Sequence, residues 1–369
     1  MSGGHEVLTW LHIGDLHITA AEEQNYKDLG SIVDLANSLP QGSVDFALLP
    51  GDNADDGTPD QFRLVATEAA RLRMPLHVIT GDHDFKPRTL DAFYAVPGHE
   101  ALPKAVWMAG RRCLFLDLVS AGSGGLDFRL GDRQLDWAER EVEQAEAAGQ
   151  DVVVFMHTYP ADLQEGRARI SALLARPHVV CVDMGHTHYN ELANDGGTVF
   201  MATRSTGQIE EGPSGFSIAA VDGRGVSWRF KTLDAAWPFV LVTHPVDRRL
   251  VPDTERGRVG TVVRAKVFSD TPVVAVEMRP DDGEWRAMHP VEGQVALWQG
   301  DLPVRCRGIT VRATGANGAT DEDRVEPADP ALPPPVRRAD GSDADRIDAW
   351  PEKGVLGTQL GPNRNGRPW

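Results

Sequence analysis

The sequence predicts an α/β layer structure over about its first 230 residues, followed by a small all-β unit and an extended tail. Three observations carry this. Short apolar runs alternate with amphipathic helical segments as far as about residue 232. Beyond about residue 238 the texture changes to Val, Thr and Arg alternation broken by turn dipeptides. After Val325, proline and charge replace both patterns. The expected divisions are residues 1–235 for the α/β unit, 236–325 for an immunoglobulin-like β-sandwich, and 326–369 for a Pro-rich linker and docked tail.

Strands are expected at Val7–Ile13, Phe46–Leu49, Leu76–Ile79, Cys113–Leu116, Val152–Phe155, Val179–Val182, Thr198–Met201, Phe216–Val221 and Val226–Phe230, each an apolar run too short for a helix. Helices are expected over Ala20–Leu39 and over Pro59–Arg73, where Thr58 is placed to cap the first turn. A third lies in "GDRQLDWAEREVEQAEAAG", where Leu135, Ala138, Val142 and Ala145 form one apolar stripe. These helices would cover the sheet faces.

Downstream, "GTVVRAKVFSD", "VVAVEMRPDDGEW", "QVALWQGDLP" and "GITVRATGANG" alternate with no helical period between them, as in a small sandwich with Trp285 and Trp298 in its core. "EPADPALPPPVRRADGSDADR" reads as an extended linker. The closing stretch carries Trp350, Leu356, Leu360 and Trp369, which are costly to leave in water, so it should dock, on its own chain or on a neighbour's.

The formal charge of −17 argues against a protein that holds long nucleic acids, which needs clustered Lys and Arg; an anionic substrate would have to meet something locally positive. Cys113, Cys181 and Cys306 are odd in number and widely spaced, which fits reduced thiols in the cytoplasm better than a disulfide framework. No apolar stretch approaches the roughly 20 residues of a membrane span. "MSGGHEVLTWLHIGDLH" enters a strand pattern without the basic and apolar regions of a secretory leader.

Five segments share one grammar, an apolar run that ends in acid or imidazole: "TWLHIGDLH", "FALLPGDNADDG", "LHVITGDHD", "VVVFMHTYP" and "CVDMGHTH". In open α/β sheets the carboxyl ends of the strands share one edge, so residues far apart in sequence converge there. Extended residues at i and i+2 point the same way, which would let Asp15 with His17, and His186 with His188, act in pairs. Gly14, Gly51, Gly81 and Gly185 would let the backbone turn as it leaves each strand.

Gathered at one edge, Asp15, His17, Asp52, Asp82, His157, His186 and His188 make a cluster of carboxylates and imidazoles that repels itself unless cations occupy it. Mixed N and O donors suit iron, zinc or manganese, and the set is large enough for two ions if a carboxylate bridges. His12 should face the other way from Ile13 and Asp15, in a structural role or in support of a ligand from behind. His5, His77, His99, His178, His244 and His289 lack a partner pattern and default to surface or packing positions.

In this order, "GDLH", "GDNADDG", "GDHD", "HTYP" and "GHTH" resemble the blocks of the calcineurin-like metallophosphoesterase superfamily, and "RQLDWAERE" resembles a helix of its phosphodiesterase branch. The resemblance implies a β-sandwich flanked by helices with a two-metal site at one edge. Asp15, His17, Asp52 and His188 would hold one divalent or trivalent metal, and Asp52, Asp82, His157 and His186 the other. It also implies attack by hydroxide on phosphorus, with His83 contacting the phosphoryl oxygen or protonating the leaving group and Asp84 orienting His83. Arg88 is either a substrate contact, as in the cyclic-nucleotide branch, or a surface ion-pair residue. Tyr189 and Asn190 either line the pocket or pack the loop. Asp55 and Asp56 are expected in a turn or cap, or in support of Asp52.

One departure stands out. The family's third block usually reads Gly-Asn-His-Asp or Glu, and here Asp82 replaces the neutral amide. Its added charge should favour diesters or triesters over dianionic monoesters. The expected activity is hydrolysis of a small phosphodiester, such as a cyclic nucleotide or glycerophosphodiester. The competing readings are a nuclease of the same superfamily and a metal-binding scaffold with little turnover. The sandwich or the tail would serve as a contact between copies of the chain, or the sandwich would cap the pocket.

Overall fold

The computed structural model of the chain describes residues 6–119, 127–252, 260–302, 306–328 and 346–358. Most of the predicted linker, with Leu360, Trp369 and His5, lies outside the described residues. The first part of the chain forms strands β1 (Val7–His12), β2 (Phe46–Leu49), β3 (Leu76–Val78), β4 (Lys104–Met108), β5 (Arg111–Phe115), β6 (Val152–Phe155), β7 (Val179–Met184), β8 (Glu191–Asn194), β9 (Val199–Ala202), β10 (Gly215–Asp222) and β11 (Gly225–Thr232). Between them run helices α1 (Gln24–Ser38), α2 (Pro59–Ala69), α3 (Asp91–Tyr94), α4 (Asp132–Ala147) and α5 (Arg167–Leu174).

The strands form two sheets, ordered β11-β10-β1-β2-β3 and β4-β5-β6-β7-β9-β8. Side-chain alternation explains why the sheets stack. Leu8 and Trp10 of β1 face an inner layer with Phe46, Phe115, Phe155 and Cys181, while Leu11 joins Leu29, Ile32 and Val33 of α1 outside. On the second sheet, Val152, Val154 and Val182 face outward into the same cluster as Leu135, Ala138 and Val142 of α4. Phe115 and Phe155 stack with ring centroids 4.6 Å apart in the inner layer. Each fully buried large apolar side chain contributes about 1.5–3 kcal/mol. The layer structure expected from the sequence is thus two facing sheets flanked by helices.

Several element limits differ from expectation. α1 begins at Gln24, because Ala20–Glu23 form a turn and Glu23 offers no side-chain cap. α2 begins where expected, with a reciprocal Thr58–Gln61 capping box, and ends at Ala69. β4 and β8 were not anticipated: β4 is a partly exposed sheet edge, where the apolar signal weakens, and β8 is only four residues, framed by Glu191 and Asn194. α5 was also missed, being a short helix that starts after a left-handed Gly166.

The second part forms β12 (Phe239–His244), β13 (Val262–Phe268), β14 (Val273–Pro280), β15 (Arg286–Ala287), β16 (His289–Pro290), β17 (Leu297–Asp301), β18 (Ile309–Gly315) and β19 (Thr320–Val325). They make two antiparallel sheets, β12-β13-β17-β16 and β15-β14-β18-β19, around Val240, Val242, Val263, Val276, Met278 and Val311. Trp298 packs against this core, but Trp285 does not enter it: its ring lies against the Arg279 and Arg312 guanidinium groups at 4.6 and 4.0 Å.

β19 contributes acids to β12, whose Val240 and Val242 amides donate to Asp321 and Asp323 at 2.7 and 2.8 Å. The two parts are tied by Arg264, which donates twice to buried Asp222 at 2.8 Å, and by Arg229 against Asp321. Residues 346–358 dock on their own chain. Arg346 pairs with buried Glu191, Ile347 donates to the Leu192 carbonyl at 2.8 Å, and Lys353 pairs with Asp323. Trp350 is buried under the Arg249 guanidinium, 3.4 Å from its ring, whereas Leu356 stays 40% exposed.

Candidate metal centre

β1, β2 and β3 run parallel in one sheet, and β6 and β7 run parallel in the other, so their carboxyl ends meet at one edge of the sandwich. The loops that leave these ends carry the five blocks. They converge on two groups, Asp15, His17, Asp52 and His188, and Asp52, Asp82, His157 and His186; within each group one donor atom per residue lies within 4.8 Å of the others. Asp52 belongs to both.

Asp15 and His17 do meet in one group, but not as extended i and i+2 residues, and His186 and His188 do not pair. β1 ends at His12 and β7 at Met184, and His17, Asp52, His186 and His188 all adopt left-handed backbone conformations, with φ of 43°, 51°, 65° and 63°. The turn sends His186 and His188 to different groups. Such backbone costs of order 1–3 kcal/mol per residue and persists only where the surroundings impose it.

The glycines also act differently from expectation. Among the four block glycines only Gly51 takes a positive φ, 111°. At Gly81 and Gly185 the requirement is space, since a Cβ would come within 2.2 Å of Asp52 Oδ1 and of Asp15 Oδ1 respectively.

Hydrogen bonds aim the donors. His157 Nδ1 lies 2.7 Å from the Pro50 carbonyl, which makes Nδ1 the protonated nitrogen and turns Nε2 toward Asp52 and Asp82, at 3.4 and 3.5 Å. Asp15 Oδ2 accepts from the His186 amide at 2.6 Å. Asp15 Oδ1, Asp82 Oδ1 and His157 Nε2 are buried with no hydrogen-bond partner among the described residues. His17 Nε2 and His188 Nε2 face each other at 3.1 Å. Buried lone pairs and carboxylate oxygens that point at shared space, and not at donors, fit cations there.

Burial lowers the pKa of His17, and lowers that of His188 to about 4, which keeps both imidazoles in the neutral, ligating form. Burial would raise Asp52, but the charge of His157, itself raised well above the ordinary histidine value by Asp52 against the effect of burial, outweighs it and holds Asp52 at about 2; a bound cation would take over that charge and leave the His157 lone pair free to ligate. Asp82 is likewise lowered: burial opposes the ionised form, and the His157 and His186 rings, each 3.5 Å from Oδ1, outweigh that. Asp15 is raised by burial.

His83 lies at the rim. Its amide donates to Asp52 Oδ1 at 2.8 Å, and its Nδ1 faces the Asp55 carbonyl and Asp55 Oδ1 at 2.8 and 3.0 Å. Asp84, expected to orient His83, does something else. Its carboxylate accepts from the amides of Asn53, Ala54 and Gly81 and from Asn53 Nδ2, which fastens the second block to the third. Burial and then the Asp52 charge push Asp84 up to about 7, against the pull of those amides.

Asp55 and Gln208 were not singled out as site residues. Gln208 Nε2 reaches Asp55 Oδ1 and His17 Nδ1, both at 3.2 Å. The second acid of "GDNADDG" hinted at Asp55; Gln208 sits in a loop with no pattern to mark it. Tyr189 is buried, its hydroxyl donating to Glu210 at 2.5 Å, so it packs the loop and does not face a pocket. Arg88 is exposed on the turn after the third block. His12 points between the sheets, where its Nδ1 meets buried Asp183 at 2.9 Å, and Trp10 Nε1 donates to the same carboxylate.

Residues 8–190 match the calcineurin-like phosphoesterase family. The chain is 27% identical over 224 residues to the 3',5'-cyclic adenosine monophosphate phosphodiesterase CpdA of Escherichia coli K12, an alignment that covers 58% of this chain and 79% of that one. It is 28% identical over 201 residues to the glycerophosphodiester phosphodiesterase GpdQ of Enterobacter lignolyticus, covering 48% and 69%. The fold is similar to that of a dimetal phosphatase from Danio rerio, with TM-score 0.52 and 14% identity over 62% of this chain and 97% of that one. Family match, phosphodiesterase relatives and the clustered Asp and His side chains agree: residues 8–190 form a calcineurin-like phosphoesterase domain, that of a phosphoric ester hydrolase.

Proposed function

We propose that the chain hydrolyses small phosphodiesters at a two-metal centre, with Asp15, His17, Asp52 and His188 holding one ion and Asp52, Asp82, His157 and His186 the other. The observation that carries this is the pair of four-residue groups sharing Asp52 at the strand edge. Iron, zinc or manganese suits these donors. Bound there, two such ions would draw charge from phosphoryl oxygens and bring the pKa of water toward neutrality.

The chain's own groups do the rest. Asp52 lies between the two sets and fixes the His83 amide, so the ring at the rim moves with the centre. Asp55 holds His83 by Nδ1, which leaves Nε2 to meet a phosphoryl oxygen or to deliver a proton to the departing alkoxide. Asp84 acts one step removed, by fixing the backbone that carries Asp52 and His83. On the following turn Lys86 faces the Asp55 and Asp56 carboxylates at 3.8 and 3.5 Å, and exposed Arg88 offers positive charge in a chain of net charge −17.

The two phosphodiesterase relatives support the choice of diesters, with cyclic nucleotides and glycerophosphodiesters as first candidates. Among the described residues no helix is long and apolar enough to cross a membrane. We place the chain in the cytoplasm on its separated, unpaired cysteines, and take residues 1–235 as the catalytic unit. The second sandwich, residues 236–325, or the closing segment would serve as the contact if copies of the chain associate.

Elemental analysis of purified protein, with hydrolysis rates for bis-p-nitrophenyl phosphate, p-nitrophenyl phosphate and cyclic AMP before and after chelation, tests the reading. Two metals per chain and diester hydrolysis that chelation abolishes and metal restores are expected. Metal uptake with no turnover on any of the three would favour the scaffold reading instead.

A further inference from the structure

The left-handed backbone at His186 and His188 has to be imposed by something beyond the site, and the loop shows what does so. Two residues past His188, Asn190 is 2% exposed and spends each of its polar groups on a different part of the chain. Its amide donates to Glu211 Oε1 at 2.7 Å, its Oδ1 accepts from the Arg204 amide at 2.8 Å, and its Nδ2 donates to the Gly354 carbonyl at 2.9 Å. The Arg204 connection leads back to the centre: the neighbouring Ser205 donates through Oγ to the Asp15 carbonyl at 2.8 Å, and its amide faces the His188 carbonyl at 3.4 Å.

Gly354 belongs to the closing segment, which is anchored on both sides of this contact. Before it, Arg346 grips Glu191, Ile347 donates to Leu192, and Lys353 reaches across to Asp323 of the second sandwich. After it, Thr358 donates to Glu211, the same carboxyl group that accepts from Asn190. The segment therefore closes a ring of bonds around Asn190, two residues past "GHTH".

We propose that Asn190 is a positioning residue for His188, and that the segment from Arg346 to Thr358 completes it by holding the Asn190 amide from behind. The proposal rests on the reading of His188 as a metal ligand. A buried amide that loses Gly354 has a donor to satisfy elsewhere, and the nearest freedom is rotation of the 186–191 backbone, which carries the ligand with it. His157, on a different strand end and fixed by the Pro50 carbonyl, does not share this dependence.

The test uses the full chain, a chain ending at Asp345, and full-length Asn190→Ala, each stripped with chelator and titrated with zinc against a chromophoric competitor. The full chain is expected to take two equivalents. In both altered chains one equivalent should weaken about 10–100-fold, the scale of losses when an outer partner of a ligand is removed, while the other is unchanged. In a His188→Ala background the shortening should not change the remaining equivalent, and hydrogen exchange over residues 186–191 should quicken in the chain ending at Asp345. A synthetic peptide of residues 346–358 should reverse both effects.

A shortened chain with native circular dichroism and two unaltered affinities would overturn the proposal, as would equal weakening of both equivalents, which is general loosening. Where the shortened chain does not fold, Asn190→Ala decides by the same criteria. A full chain that takes up neither zinc nor iron nor manganese would overturn the two-metal reading itself, and this one with it.

Discussion

Asp82 shares the second group with Asp52, His157 and His186, and its carboxylate is held ionised by the two imidazoles. A negative charge in that place repels a dianionic monoester more than a monoanionic diester. At an effective dielectric of about 20, two charges about 5 Å apart interact by roughly 3 kcal/mol, of which neighbouring cations would cancel much. Asp82→Asn is therefore expected to lower the ratio of kcat/KM for bis-p-nitrophenyl phosphate over p-nitrophenyl phosphate by about tenfold; an unchanged ratio would show that Asp82 is a ligand without influence on specificity. The sequence revealed Asp15, Asp52, Asp82 and the histidines at 17, 157, 186 and 188 as a set because each ends an apolar run. It did not reveal how they are held. Asp84 reads like a partner of its neighbour His83, yet its acceptor oxygens meet amides from another block, and only the three-dimensional approach of two loops decides that.

At the level of elements, the strands buried on both faces were legible from their apolar runs, while β4, β8 and β19 were not. β19 reads "TDEDRV", a sequence that resembles a solvated loop. Its acids are used for pairing: Asp321 and Asp323 receive the β12 amides, and Asp323 also neutralises Lys353. With both partners nearly buried, removing one leaves a charge with no counterion. Asp323→Ala is expected to destabilise the chain by about 3–5 kcal/mol, and Lys353→Met combined with Asp323→Leu by much less, because the isolated charge and not the lost pair carries the penalty. Chemical denaturation of the two variants measures the difference. Equal losses in both would mean that the amides of β12, and not the ion pair, depend on Asp323.

For the molecule as a whole, the helices pack on a sandwich that tolerates acid poorly. His77 accepts from Lys104 Nζ at 3.0 Å and lies 4.5 Å from the Phe115 ring, and His99 is bonded through Nδ1 to the Phe93 carbonyl at 2.9 Å. Burial lowers both to about 4, with the Lys104 charge adding to the effect at His77. Between the ordinary histidine pKa of about 6.5 and that value the unfolded chain takes up protons that the folded chain refuses, so stability falls as pH drops through this window. The Tm of the His77→Gln, His99→Gln double variant should fall less steeply between pH 6.5 and 4.5 than that of the parent chain; parallel curves would show that these two positions do not set the acid sensitivity. The α/β layers and the all-β second part were readable from texture. Where the tail docks was not, because a short segment with one buried Trp carries no address.

The contact between Asn190 and Gly354 spans 164 positions of the chain. At a synthesis rate of about 5–20 residues per second, the loop behind His188 is made roughly 10–30 s before the carbonyl that braces it. During that interval the first sandwich can already have folded around its inner aromatic layer, yet its ligand loop is still missing its last support. A newborn chain would then encounter intracellular metal in a looser form than the finished one.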